Sequence, residues 1–156
     1  MDNYQELLEE LARQEHELQF SQFTNDDALQ LGLILVQRAK ASGKAVTVDI
    51  RRNGQQLFHC ALEGTSADND EWILRKTRVV DRYGHSSFHI GTQFRARGTT
   101  FEASSRLDPD RYAAHGGAFP IIVRNVGPVG TVTVSGLPQE EDHALVVAVL
   151  REFLAT

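Results

Sequence analysis

Between residues 46 and 62 the side chains alternate with a period that only an extended chain can use. Val46, Val48 and Ile50 stand between Thr47, Asp49 and Arg51, and Phe58, Cys60 and Leu62 repeat the pattern after a short break. A strand turns successive side chains to opposite faces, so each arm carries one apolar row. The break holds Asn53–Gly54, two residues that tolerate positive φ, as a two-residue type I′ loop requires. The chain is thereby committed to an antiparallel β-hairpin, and the remaining segments must pack around it.

Those segments read mainly as helices. Tyr4, Leu7, Leu8 and Leu11 recur at helical spacing among acidic residues, which predicts an amphipathic first helix. Leu18 and Phe20 alternate with Gln19 and Ser21, the mark of a short half-buried strand. Thr24 to Asp27 supply a cap and first-turn acids for a helix over 26–41, which stops at Ser42–Gly43. Its apolar residues Leu29, Leu31, Leu33, Ile34, Leu35 and Val36 surround most of the circumference. Such a helix is expected to be covered on both sides, by the sheet and by another helix or subunit.

A third helix is predicted over 68–83, with Trp72, Lys76, Val79, Val80 and Tyr83 along one face and Gly84 ending it. A short helix over 87–97 stops at Gly98. Residues 99–117 lack periodicity, apart from a turn that Asp108 caps with Pro109 in first position. A connection this long inside a compact domain is uncommon and points to function. Residues 119–124 and 130–135 read as two strands, and a final helix from about Pro138 carries Leu145, Val146, Val149, Leu150 and Phe153 on one face. The expected fold is α/β (α+β), with five largely antiparallel strands and helices packed on the sheet.

Composition removes several functions. The 156 residues suit a single domain, 1–156, and the net charge of −5 with scattered basic residues argues against a nucleic-acid partner. No apolar run approaches the ~20 residues of a membrane span, and the acidic start lacks the marks of a secretory signal. The expectation is therefore a cytoplasmic protein without a membrane partner. Cys60 is the only cysteine, so an intrachain disulfide and a thiolate cage are both excluded.

Four motifs occur in order from residue 69 onward: Asn69-Asp70-Glu71-Trp72, Gly84-His85-Ser86-Ser87, His115-Gly116-Gly117-Ala118-Phe119-Pro120, and the run from Ser135-Gly136-Leu137-Pro138 to Asp142-His143. In these the chain resembles the GlcG/HbpS-like family, also labelled haem-degrading domains, in its uncharacterised bacterial and fungal branch. The resemblance implies a profilin-like fold, homo-oligomers built from dimers, and haem or a small metabolite as candidate ligand. It assigns no haem-contacting residue and leaves the cofactor unknown.

The same motifs hold the candidate site residues, and each admits a structural and a functional reading. Gly116 and Gly117 either complete a tight turn or aim their amides at an anion, with His115 capping the preceding turn or facing a ligand. Ser86 or Ser87 caps the short helix or leaves its first N–H groups to bind an anion. His85 and His89 are four apart, as helical metal ligands can be, but a third ligand would have to come from far away, so no metal is expected. Asp142 and His143 begin the last helix, where His143 is a neutral core imidazole or part of a pocket. Arg75, with Arg78 and Arg82, forms a basic stripe that faces solvent, a subunit or an anion.

Three functions follow in order: an oligomeric binder of haem or a small anionic metabolite, an enzyme using His115 or His85 as acid/base, and a non-catalytic adaptor. The first rests on one spatial expectation, that residues 85, 115 and 143 meet in a shared recess.

Overall fold

The computed structural model describes residues 2–155, with side chains from Tyr4 onward. In chain order the elements are α1 (Asp2–Glu17), α2 (Asn25–Ala41), β1 (Thr47–Arg52), β2 (Gln55–Ala61), α3 (Ala67–Tyr83), α4 (Ser87–Ala96), α5 (Phe101–Ser105), β3 (Ala118–Val123), β4 (Gly127–Ser135) and α6 (Gln139–Leu154). All strand pairs are antiparallel, in the order β2-β1-β4-β3. At the hairpin loop Asn53 and Gly54 have φ of 50° and 84°, the two positive values that a type I′ turn needs.

The described sheet has four strands, not the five expected. Leu18 and Phe20 are both buried, but only Phe20 pairs, through one parallel bridge to Val123. Its N–H donates to the Ile122 carbonyl at 2.7 Å and its carbonyl accepts from Arg124 N–H at 2.8 Å. The segment is too short to continue, because Thr24 already caps α2 with a reciprocal Thr24–Asp27 box. The long connection also differs from expectation, since α5 forms inside it. Thr100 caps that helix by accepting from Ala103 N–H, and five residues are too few to show a helical period.

Helices cover both faces of the sheet. Leu31 and Leu35 of α2 and Val146, Val149 and Leu150 of α6 share one core with Val48, Ile50, Phe119, Ile121, Val132 and Val134. Period-two alternation then turns Thr47, Asp49, Thr131, Thr133 and Ser135 toward α3, where Thr77 hydroxyl meets Thr133 hydroxyl at 3.1 Å. Helix α2 has one apolar side that this core leaves open, with Leu29 and Leu33 each 47% exposed. None of the helices among the described residues is long and apolar enough to cross a membrane.

Candidate functional site

The predicted residues divide between two places. The first is a cavity of about 240 Å³ at the end of β4, lined by the start of α3 (Asn69, Trp72, Lys76), the His115–Gly116 loop and the start of α6 (Gln139, Asp142). Its floor is set by Lys76, only 2% exposed, whose ammonium donates to the carbonyls of Gly116 at 2.9 Å and Val134 at 2.8 Å and to Asp142 Oδ2 at 3.2 Å. Those three bonds use every proton of the ammonium and tie a loop, a strand and a helix to α3. Burial pushes Asp142 up to about 6 and Lys76 down, while their mutual attraction opposes both shifts. Asp142 stays ionised at neutral pH and accepts a second bond from Leu137 N–H at 3.0 Å.

The two glycines are dictated by close approach. A Cβ on Gly117, whose φ is 137°, would lie 2.4 Å from both the Lys76 ammonium and the Val134 carbonyl. One on Gly116 would lie 2.2 Å from the Gln139 carbonyl. The Gly116 amide already donates to Gln139 Oε1 at 3.0 Å, so it does not form the open anion cradle that the sequence suggests. His115 is exposed at this cavity with its ring 5.2 Å from Trp72, and burial lowers its pKa, leaving a neutral imidazole at neutral pH. Arg75 lies over the other ring of this stack, 4.3 Å from the Trp72 centroid, and donates to the Pro109 carbonyl at 3.1 Å. With Arg78 donating to the Arg111 carbonyl, the basic stripe pins the turn after α5.

The second place joins α1 to α4. Glu15, 8% exposed, accepts from His85 Nδ1 at 2.6 Å on one oxygen, and from His89 Nδ1 at 2.8 Å and Ser86 N–H at 3.0 Å on the other. Burial alone would raise the Glu15 pKa; the bonds from His85, His89 and Ser86 outweigh it and bring the value down to about 2. The hydrogen bond to Glu15 raises the pKa of His85. Ser86 caps α4 through its hydroxyl, while the buried Ser87 hydroxyl accepts from Ala118 N–H at 3.1 Å and ties α4 to β3. His143 is 5% exposed, its Nε2 meets Gln14 Oε1 at 2.8 Å, and its ring lies 5.0 Å from Phe88. Burial lowers its pKa to about 4, which favours a neutral imidazole at neutral pH.

His115, Gly116 and Asp142 thus share the cavity, whereas His85 and His143 belong to the α1–α4 contact and do not line it. Sequence reasoning did not single out Glu15, Lys76 or Gln139. A signal existed for two of them: Lys76 stands on the apolar face of α3, and Glu15 follows Leu8 and Leu11 on the apolar stripe of α1. A charge inside such a stripe is a charge that must find partners indoors.

A profile of the family described as "Haem degrading protein HbpS-like" matches residues 23–151. The chain belongs to the HbpS-like family. It is 61% identical to the UPF0303 protein SCO2848 of Streptomyces coelicolor over 145 residues, 93% of this chain and 92% of that one. Among solved structures it is similar to the Ybr137w protein, with TM-score 0.88 and 39% identity over 95% of this chain and 88% of that one. The structure of a PduOC:haem complex superposes with TM-score 0.69 at 18% identity, covering 83% of this chain and 93% of the other, a likeness of fold. In this chain the fold is an α+β arrangement, four antiparallel strands between helices.

Proposed function

We propose that this HbpS-like chain is a binding protein for a small polar molecule held in the cavity between α3, the His115 loop and α6. The observation that carries this reading is the lining. Trp72 supplies an aromatic wall, and neither its indole N–H nor the Gln139 side-chain NH₂ has an acceptor among the described residues. A ligand with acceptor atoms would satisfy both. The volume of about 240 Å³ falls below the roughly 300–1,000 Å³ of sites for drug-sized molecules, which suits a metabolite. The lining does not favour an anion in particular, because Asp142 balances Lys76, His115 is neutral and Asp68 adds negative charge. A thermal-shift screen of small polar metabolites tests the proposal. A hit should raise Tm in the natural protein and lose its effect in Trp72→Ala; a hit that survives Trp72→Ala and Gln139→Ala would remove the cavity from the account.

The family description favours a second reading, haem. His115 is its candidate iron ligand, since a neutral, exposed imidazole is the form that coordinates iron. The cavity behind it is too small for a tetrapyrrole, so haem would require surface from beyond this cavity. Titration with haemin distinguishes the readings: saturable absorbance change lost in His115→Ala supports haem. In either case we take the protein to act as a homo-oligomer, on the support of Leu29 and Leu33 left open on α2. Sedimentation of Leu29→Asp/Leu33→Asp should then show a smaller species than the natural protein.

A further inference from the structure

We propose that Glu15, His85 and His89 form a binding site for a divalent transition-metal ion such as Zn²⁺, with Nδ1 of both imidazoles and one Glu15 oxygen as ligands. This goes beyond the cavity reading and does not depend on it.

Each residue offers one ligand atom, and the three lie within 4.8 Å of one another. Two imidazoles and a carboxylate are a donor set for Zn²⁺ or Fe²⁺, and three protein ligands with an open position is the pattern of non-structural metal centres. The spacing of His85 and His89 left the third ligand unaccounted for in the sequence; α1 delivers it from 70 residues away. The scaffold is rigid where it needs to be. Ser86 caps α4 and its N–H holds Glu15 Oε2, and the start of α4 is buried from Ser87 to Thr92. His89 is 6% exposed, whereas the His85 side chain is 45% exposed and leaves a route for an ion.

Charge argues in the same direction. Glu15 is a nearly buried carboxylate whose side-chain partners are the two imidazoles, and burying a carboxylate without a full countercharge is costly. A divalent cation would provide the countercharge. An ionised carboxylate only accepts, so without metal each ring donates its Nδ1 proton to Glu15. On binding, Nδ1 of each ring gives up its proton and takes the metal, while Nε2 carries the one proton that a ligating ring keeps. His89 Nε2 faces the Gln93 amide at 3.4 Å, which on rotation presents its oxygen to the relocated N–H, the outer-shell support that ligating histidines use.

The test uses the full chain after chelation and dialysis, titrated with Co²⁺ and followed by visible absorbance, then competed with Zn²⁺. One Co²⁺ per chain with ligand-field bands, displaced by Zn²⁺, is expected. His85→Ala alters a half-exposed residue and should keep the fold by circular dichroism while weakening Co²⁺ binding by more than the roughly 10- to 100-fold that loss of an outer-shell partner costs, as should Glu15→Gln and His89→Ala. His59→Ala, at the Asp49–Asp70 pair elsewhere, should leave binding unchanged. No saturable uptake by the natural protein, uptake unaltered in a folded His85→Ala, or uptake that follows His59 would each overturn the site.

Discussion

The two faces of the sheet are built on opposite principles. Toward α2 and α6 the strands present Val48, Ile50, Phe119, Ile121, Val132 and Val134, and cohesion comes from removing apolar surface from water. Toward α3 the same strands present Thr47, Asp49, Thr131, Thr133 and Ser135, all buried. There cohesion depends on directed bonds: Asp49 accepts from Arg51, Gln56 and His59, Thr77 meets Thr133, and Lys76 binds three acceptors at once. Thr47 and Thr131 hydroxyls lack partners among the described residues, so this face is not fully satisfied. An apolar face tolerates exchange of similar side chains, whereas a polar one fails when a single partner is removed. The cavity opens at the end of the polar face, where unpaired donors can wait for a ligand.

The comparison breaks most sharply at Lys76. Lys76→Met strips the buried Asp142 of its ammonium, so that the carboxyl must either stay charged without a countercharge or take up a proton, and should cost about 3–5 kcal/mol in urea unfolding. Lys76→Met/Asp142→Leu should regain part of that loss, although the carbonyls of Gly116 and Val134 remain without a donor. A loss under ~1 kcal/mol for Lys76→Met would mean that the polar face is not held as described.

On the apolar face, Leu35→Ala should cost about 2–5 kcal/mol through lost burial and a residual cavity. Leu35→Met at the same place should cost under ~1.5 kcal/mol, which no conservative change at Lys76 would match.

The third test concerns His143, which packs beside Phe119 of the apolar core at 6.1 Å. Its pKa falls from 6.5 unfolded to about 4 folded, because burial disfavours the imidazolium. Its contribution is complete above pH 6.5 and is lost as pH falls toward 4, where the unfolded chain binds a proton that the fold refuses. The full swing is on the order of 3 kcal/mol. Asp142, raised to about 6, works in the opposite sense over part of that range, so the measurement is a difference. Stability of the natural protein should fall more steeply between pH 6.5 and 4 than that of His143→Gln; parallel curves would refute the neutral buried imidazole.

Legibility followed the same division. The hairpin, a cap among Thr24 to Asp27, a serine cap at Ser86 or Ser87 and the stop at Gly84 could be read because each is a local event, settled by residues within one turn of each other. The fifth strand was misread because alternation at Leu18 and Phe20 reports burial, while a strand also needs a partner edge and room to continue. The glycines of the His115 loop were visible, but their cause was not: Gly117 admits the Lys76 ammonium from α3 and Gly116 the Gln139 carbonyl from the start of α6, both far away in the chain.

What the sequence determined by itself is the inventory of elements and the face each turns inward, since both follow from periodicity and local backbone preference. It also carried the four motifs in which the chain resembles the family whose profile matches residues 23–151. Tertiary structure alone decided that Asp142 and His143, neighbours on α6, serve different places, one pairing with Lys76 and the other meeting Gln14. It likewise decided that Glu15 closes on His85 and His89 rather than facing solvent with the other acids of α1. Partnerships between charges depend on which buried groups meet after the chain has packed, and no local period encodes that.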